Sequence, residues 1–189
     1  LIPYSDNNIS ELNFTLDNLA YKWQNLGNYN FELLIFLQCL KRNSNPSMEF
    51  LALIKKYKKQ FKELSYVNLK FNYQKDYGIY DALNKAIKNI FSSYLVICGA
   101  GDTLELNSMN KISIQNHDPY LIHIFNTKFR FSNKKIKSPK GYMLAFRNIC
   151  QQSILYKTSI LKKYKFNNLY KVQADYFWNL KYLRLIPNK

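Results

Sequence analysis

Among the few acidic residues of this sequence, Asp102 has the surroundings that best suit metal or ligand chemistry. It directly follows a glycine-rich turn at 99–101, and that turn follows a continuous apolar run at 94–98. Such a run is typical of a strand covered on both faces, and ligands of open α/β sheets bind beyond the carboxyl ends of the strands. A carboxylate there suits Mg²⁺ or Mn²⁺, which prefer oxygen ligands. The alternative is an ordinary turn aspartate that accepts a hydrogen bond from its own backbone.

The segment before that strand has the pattern of a helix with an acidic first turn. Gly78 permits a tight entry, and Asp81 falls where a carboxylate suits the positive end of the helix dipole. The predicted helix spans residues 80–91. Its apolar residues recur at helical spacing, and they are Ala82, Leu83, Ala86, Ile87 and Ile90.

The elements around this segment predict an α/β fold. Strands are predicted at 1–4, 31–37, 67–71 and 94–98, with helices at 9–19, 48–64 and 80–91 between them. This order predicts a mostly parallel sheet with right-handed crossovers, flanked by helices. After Asp102 the pattern changes to short strands at 120–125 and 142–146 and helices at 159–164 and 174–183.

The composition is that of one globular domain. The 189 residues are 47% apolar and 16% aromatic, which supports a substantial core and argues against disorder. The longest apolar stretch, at 32–37, is far too short to span a bilayer. The three cysteines, Cys39, Cys98 and Cys150, have no metal-ligand spacing. We therefore expect free, mostly buried thiols in a reducing cytoplasm.

The net charge of +16 comes from 28 basic and 12 acidic residues. One interpretation is the codon bias of an AT-rich genome, because lysine, asparagine, isoleucine and tyrosine are all abundant. The other is attraction to an anionic partner, such as a sugar diphosphate, a lipid phosphate at a membrane or nucleic acid. The lysine cluster at 55–59 is also explained by a solvated helix face. Nucleic acid ranks last, because no RNA- or DNA-binding motif is present.

The stretch from 76 to 102 resembles the family 2 glycosyltransferases, a bacterial type that builds surface polysaccharide and lipooligosaccharide. Members carry a stretch close to D-K-G-I-Y-D-A-M-N-K-G-I, then an apolar strand, then N-S-G-D or N-S-D-D. The counterparts here are D-Y-G-I-Y-D-A-L-N-K-A-I at 76–87 and G-A-G-D at 99–102. The resemblance implies a single GT-A-like (Rossmann-like) domain over 1–189. Its nucleotide-sugar-binding half would be 1–102 and its acceptor-side half 103–189.

Further segments extend the resemblance along the chain. Residues 1–7 are similar to the family's opening I-P-T-Y-N, and residues 31–36 are similar to F-E-L-I-I-V. Residues 151–157 resemble H-Q-S-x-F-Y-K, and residues 170–176 resemble Y-K-I-A-A-D-Y. Relatives continue well past this point, so the resemblance implies a shortened C-terminal part.

The resemblance assigns roles residue by residue. Asp102 matches the last residue of the metal-binding motif, which implies a Mg²⁺ or Mn²⁺ cofactor. Asp175 matches the acidic residue of the A-D-Y motif, which implies the general base for the acceptor hydroxyl; the alternative is a helix N-cap. The residues implied to lie near the nucleotide-sugar are Pro3, Asp81, Asn84 and Lys85.

The sequence also departs from the family pattern. Where the second strand of relatives ends V-D-G-G-S-T-D, Leu37 replaces the first Asp and Arg42 the second. Gln151 replaces the motif histidine, and Gln74 replaces a Glu before P-D-K-G. In one explanation the nucleotide pocket is rebuilt for a different donor, with Arg42 or Lys41 on phosphate. In the other, the donor site has decayed.

We therefore expect an inverting, hexosyltransferase-type glycosyltransferase of bacterial surface polysaccharide synthesis. It would move a sugar from a nucleotide-diphospho-sugar to a glycan or lipid-linked acceptor. The alternative is a non-catalytic relative that serves as a binding subunit of a glycan-assembly complex. The expected location is the cytoplasm, with peripheral contact at the inner face of an anionic membrane. His117, expected in a loop, and His123, expected in a strand, match no motif position.

Overall fold

The computed structural model describes residues 1–25, 32–40, 45–64, 67–110, 122–128, 135–136 and 146–182. The chain divides into two compact units. The first consists of Leu1–Asp76 and Cys98–Asn116, and the second of Tyr77–Ile97 and His117–Lys189. The chain thus leaves the first unit after Asp76 and returns to it at Cys98.

The described residues form short strands and helices in alternation. The strands are β1 (Ile2–Tyr4), β2 (Leu33–Cys39), β3 (Val67–Asn72), β4 (Tyr94–Val96), β5 (His123–Ile124), β6 (Thr127–Lys128), β7 (Lys135–Ile136) and β8 (Ile154–Lys157). The helices are α1 (Ile9–Asn25), α2 (Met48–Lys62), α3 (Ile79–Lys88), α4 (Leu106–Asn110), α5 (Thr158–Lys163) and α6 (Ala174–Tyr182). Single 3₁₀ turns lie at Asp6–Asn8 and Gln151–Ser153.

The first unit contains a parallel sheet in the order β1-β2-β3. Ile2 of β1 lies beside Leu37 of β2, and Leu37 lies beside Phe71 of β3. Helix α1 connects β1 to β2, and helix α2 connects β2 to β3. The α/β pattern predicted for these strands and helices is therefore confirmed.

One hydrophobic cluster fills the first unit. The ring of Tyr4 stacks on Phe50 of α2 with centroids 4.6 Å apart. Ser47 caps α2, because its Oγ accepts a hydrogen bond from the Phe50 N–H at 3.2 Å, which satisfies one orphan donor of the first turn. Tyr57 faces the cluster, while Lys55, Lys56, Lys58 and Lys59 are exposed. The lysine cluster is thus a solvated helix face, as its spacing predicts.

The second unit is built on an antiparallel sheet in the order β4-β8-β5. Leu95 lies beside Tyr156, and His123 lies beside Leu155. The sequence pattern did not predict this antiparallel pairing of β4 with β8. An apolar run signals burial on both faces, but it does not specify which strand lies alongside. His123 lies in a strand as predicted, and His117 lies outside the described residues.

Most of the predicted element boundaries are accurate to a few residues, but the helix predicted at 9–19 continues to Asn25. The helix predicted at 48–64 is Met48–Lys62, and that predicted at 80–91 is Ile79–Lys88. The strand predicted at 94–98 ends at Val96. Cys98 follows it and donates its N–H to the Leu1 carbonyl at 2.9 Å. The strand predicted at 142–146 lies outside the described residues except for Phe146, which is in a turn.

Candidate functional site

Asp175 is held by two side chains from distant parts of the sequence. It lies in the first turn of α6, directly after Gln173 and Ala174. The Tyr80 hydroxyl donates to Asp175 Oδ1 at 2.7 Å, and the Asn148 amide donates to Oδ2 at 3.0 Å. Both carboxylate oxygens therefore accept from side chains, and α6 does not use Asp175 as an N-cap. The orientation of the carboxylate is set by α3 and by the segment before the 3₁₀ turn.

Tyr80 is a hydrogen-bond donor to Asp175 throughout the neutral pH range. Burial, followed by the hydrogen bond to Asp175 and its negative charge, raises the pKa of Tyr80 to about 12, and the backbone N–H groups of Asp175 and Ala174 partly oppose this. The hydroxyl therefore keeps its proton at pH 7. The Asp175 carboxylate therefore accepts a hydrogen bond from a neutral Tyr80 phenol.

A cavity of ≈ 380 Å³ opens beside this carboxylate. Its walls include Asp175, Tyr80, Asn148, Arg147 and Gln151. The Gln151 Nε2 is buried without a hydrogen-bond partner, and Arg147 is exposed at the wall. The cavity thus combines one carboxylate acceptor with a cation and amide donors. That combination suits a polar ligand rich in hydroxyl groups.

Cys150 also lines the cavity, and we expect it to be the fast-reacting thiol of the three. Its Sγ donates to Gln152 Oε1 at 2.8 Å and the residue is exposed. Cys39 and Cys98 are buried, and burial, then the nearby charge of Asp102, raises the pKa of Cys98 to about 12. With Ellman's reagent at pH 8, Cys150 should react first. The other two should react at least about 100-fold more slowly, because each requires a local opening.

The control for this labelling experiment is Cys150→Ser, which should abolish the fast phase. All three thiols should react at one rate in denaturant. Fast reaction of two thiols in the folded wild type would contradict the burial described here.

The side chains of Asp81, Asn84 and Lys85 are engaged within the second unit. Lys85 Nζ pairs with Asp81 Oδ2 at 2.7 Å, and the Tyr77 N–H donates to the same oxygen at 3.0 Å. Burial would raise the pKa of Asp81, but these hydrogen bonds and the Lys85 charge outweigh it and lower the pKa. Asn84 donates to the Phe166 carbonyl at 2.9 Å and accepts from the Phe166 N–H at 3.1 Å. Their proposed contact with a nucleotide-sugar stays a prediction.

Asp102 lies in the first unit, in a turn clasped by α1. Its Oδ2 accepts from the Gly99 N–H at 3.0 Å, as a turn aspartate does. Thr15 Oγ1 donates to the Asp102 carbonyl at 2.9 Å and accepts from the Gly101 N–H at 2.9 Å. Gly101 has φ +94, a left-handed conformation that favours glycine. The turn therefore holds Asp102 in a fixed place against α1.

The Asp102 carboxylate fits a hard divalent cation. Mg²⁺ is commonly bound by one or two carboxylates together with substrate phosphates and water, so it needs no cluster of protein ligands. The described residues contain no group of three or more His, Cys, Asp or Glu side chains that could hold a metal ion. The metal role of Asp102 remains a prediction.

Leu37 is a core residue. It is 0% exposed and belongs to the hydrophobic cluster of the first unit. Its strand neighbour Gln38 points to the other face of β2, because side chains alternate along a strand. Asn72 at the end of β3 donates to Gln38 Oε1 at 3.0 Å, and Gln38 donates to the Cys39 carbonyl at 3.0 Å. Pro3 is buried on β1 beside Gln38.

Sequence reasoning missed four residues with polar roles: Tyr80, Asn148, Gln38 and Asn72. Tyr80 lies within a motif and Gln38 adjoins a motif position, which is a signal that could have found them. Asn148 carries no such signal, because only the fold brings it to Asp175. Lys41 and Arg42 lie outside the described residues.

No protein-family model matches the chain. Among curated proteins, a PGL/p-HBAD biosynthesis glycosyltransferase of Mycobacterium bovis and one of Mycobacterium tuberculosis are each 29% identical to it over 115 residues. These alignments cover 56% of this chain and 44% of each relative. The chain thus spans less than half the length of the curated relatives that it matches.

Solved structures of S. aureus TarS share the fold. Residues 1–349 in complex with UDP-GlcNAc superpose with a TM-score of 0.64 at 15% identity, covering 96% of this chain and 51% of that one. The complex with UDP gives 0.61 at 17% identity, covering 97% and 54%. TarS 1–349 alone gives 0.66 at 15% identity, covering 96% and 54%. The shared fold therefore extends over nearly the whole of this chain.

Proposed function

We propose, from the GT-A glycosyltransferase fold that this chain has, that it transfers a sugar from a nucleotide-diphospho-sugar to a glycan or lipid-linked acceptor in bacterial surface glycan synthesis. The observation that carries the proposal is the Asp175 carboxylate, fixed by Tyr80 and Asn148 at the wall of a polar cavity. Glycosyl transfer needs a base at the acceptor hydroxyl, and we propose that this carboxylate serves as one.

The proposed reaction is a single displacement. The acceptor oxygen bonds to the anomeric carbon, Asp175 takes the hydroxyl proton, and the bond from that carbon to the diphosphate oxygen breaks. The diphosphate leaves with the bonding electron pair. Attack from the face opposite the leaving group inverts the anomeric configuration.

The leaving diphosphate needs positive charge. We propose that Asp102 holds Mg²⁺ or Mn²⁺, which would neutralise charge on the diphosphate when bound. Cations of this chain would add to that attraction, since the net charge is +16. Lys85, Arg42 and Lys41 are the candidates by sequence position.

A second polar feature supports a donor site in the first unit. Asn72 stands at the carboxyl end of β3, where ligands of α/β sheets bind, and its amide is oriented by the fully buried Gln38. An amide fixed in this way can hydrogen-bond the edge of a nucleobase. TarS was solved with UDP-GlcNAc and with UDP, so uridine diphospho-sugars are the first donors to test.

The test combines binding and turnover. In a thermal-shift screen of nucleotide-sugars with and without Mn²⁺, the cognate donor should raise Tm, because a ligand of the folded state stabilises it. The same donor should yield product with a glycan acceptor panel. A donor-induced shift without any transfer would favour the non-catalytic alternative, and no shift with any donor would contradict the proposed transfer.

Asp102→Asn should separate the proposed metal role from a turn role. The amide oxygen can still accept from the Gly99 N–H, so the turn is retained. Turnover should fall by roughly 10²-fold or more, because a catalytic metal supplies several kcal/mol. The Mn²⁺-dependent part of the donor-induced Tm shift should disappear. An unchanged Mn²⁺ dependence would show that Asp102 does not hold the metal.

We further propose that the protein works on the cytoplasmic side of a membrane, where a lipid-linked acceptor would lie. The support is the high positive charge, which attracts anionic lipid surfaces. No helix in the described ranges is both long and apolar enough to cross a bilayer.

A further inference from the structure

The stretch that matches the family's D-K-G-I-Y-D-A-M-N-K-G-I carries an unexpected contact. Its buried tyrosine, Tyr80, is 9% exposed and reaches across the second unit to Asp175. Sequence reasoning assigns this stretch to the nucleotide-sugar. In the structure its best-placed side chain instead serves the acceptor-side carboxylate.

The tyrosine is itself held from several directions. Its ring packs against Phe166 with centroids 5.6 Å apart, and Phe166 packs against Trp178 of α6 at 6.3 Å. Asn84, one turn along α3 from Tyr80, fixes the backbone of Phe166 through two hydrogen bonds. The hydroxyl of Tyr80 therefore has little freedom to move away from α6.

The second donor to Asp175 has a similar support. Asn148 accepts from the Asn179 amide at 3.0 Å through its Oδ1, and Asn179 is 1% exposed. This leaves the Asn148 amide N–H groups directed to the carboxylate. A series of hydrogen bonds therefore runs from Asn179 of α6 through Asn148 to Asp175, also of α6, and on to Tyr80 of α3.

We propose that Tyr80 and Asn148 are positioning residues for the base: they hold the Asp175 carboxylate so that its remaining lone pairs face the acceptor hydroxyl in the cavity. The inference rests on the proposed function, because it assigns Asp175 the base role. It adds a specific task for the tyrosine of the α3 stretch.

Two opposing effects decide whether a Tyr80 substitution raises or lowers kcat. Losing a hydrogen bond makes a carboxylate more basic, which would speed proton removal. It also frees the carboxylate to rotate away from the acceptor, and a misplacement of about 1 Å can cost about 10²-fold in rate. We expect orientation to dominate, because the acceptor proton must be reached at hydrogen-bond distance.

The test compares Tyr80→Phe with a matched control, Tyr57→Phe. Tyr57 is also a buried tyrosine whose hydroxyl donates to an aspartate, Asp17 Oδ1, at 2.6 Å. Tyr80→Phe keeps the ring and should lower kcat about 10- to 100-fold, the value of one hydrogen bond to a charged group, with KM changed less than about 3-fold. Tyr57→Phe should leave kcat within about 2-fold of wild type.

A double-mutant cycle separates positioning from a general structural effect. If Tyr80 acts through Asp175, Tyr80→Phe should have no further effect on kcat in an Asp175→Asn background. Asn148→Ala, which leaves the other oxygen without its donor, should behave in the same way. Both variants should unfold cooperatively in thermal denaturation.

Each outcome bears on one statement or the other. The positioning role alone would be overturned if Tyr80→Phe lowered kcat equally in the wild type and in Asp175→Asn. It would also be overturned if Tyr80→Phe in the otherwise wild-type protein left kcat unchanged or raised it. If either result came together with a strongly lowered kcat of Asp175→Asn, the proposed function would remain intact. A folded wild type that transfers no sugar from any donor would overturn both.

Discussion

Asp175→Asn is expected to lower turnover by about 10²–10⁴-fold, the usual contribution of a general base. Asparagine has the size of aspartate and can still accept from Tyr80 through its oxygen, but it cannot take the acceptor proton. Because the base acts on the acceptor, donor affinity should remain nearly unchanged. The measurement is initial-rate kinetics with the cognate donor, together with donor binding by calorimetry.

Asp17→Asn is the matched control for this prediction. Asp17 also accepts from a tyrosine hydroxyl, but it belongs to α1 of the first unit and does not line the cavity. Its substitution removes the same charge and should leave turnover near wild type. Wild-type turnover in Asp175→Asn would remove Asp175 as the base.

Leu37→Asp is expected to unfold much of the protein, although it introduces the residue that the family pattern has at this position. Leu37 is 0% exposed between Ile2 and Phe71 on the neighbouring strands. The change removes a buried apolar side chain and buries a carboxyl group without a partner. The combined cost should be at least about 4 kcal/mol, a large fraction of an ordinary domain's stability. Urea denaturation measures it.

The pH dependence of that variant should identify the cause. Burial raises the pKa of a carboxyl group in the folded state. The loss of stability from burying a charged carboxylate is therefore absent at acidic pH. It grows as the pH rises from the pKa of the group in the unfolded state to its higher pKa in the folded state. Leu37→Asn should be destabilised by a similar amount at low pH, but without this rise. A well-folded Leu37→Asp with stronger nucleotide binding would show that position 37 belongs to the donor pocket.

Local patterns predicted the first unit well. The apolar spacing of α2 and the alternation of Val67, Leu69 and Phe71 in β3 can each be recognised within a short stretch of sequence. Local patterns could not predict which strand pairs with β4. Its partner β8 lies far along the chain, and an apolar strand of three residues fits many neighbours.

The candidate site shows the same limit. Motif matching selected Asp175 and Asp102, because each adjoins a recognisable pattern. The hydrogen bonds that orient Asp175 join residues 95 and 27 positions apart in sequence, and no local rule predicts such contacts. Leu37 is the opposite case. It occupies a motif position in the sequence, but in the structure it belongs to the hydrophobic core.

The division of the chain has a consequence for how the protein matures during synthesis. Cys98 and Leu106 belong to the hydrophobic cluster of the first unit, yet they are translated after the excursion Tyr77–Ile97. A nascent chain released only as far as Asp76 contains all three parallel strands and lacks part of their cover. Such an intermediate exposes apolar surface to other chains. We expect chaperones to bind this intermediate until the returning segment leaves the ribosome.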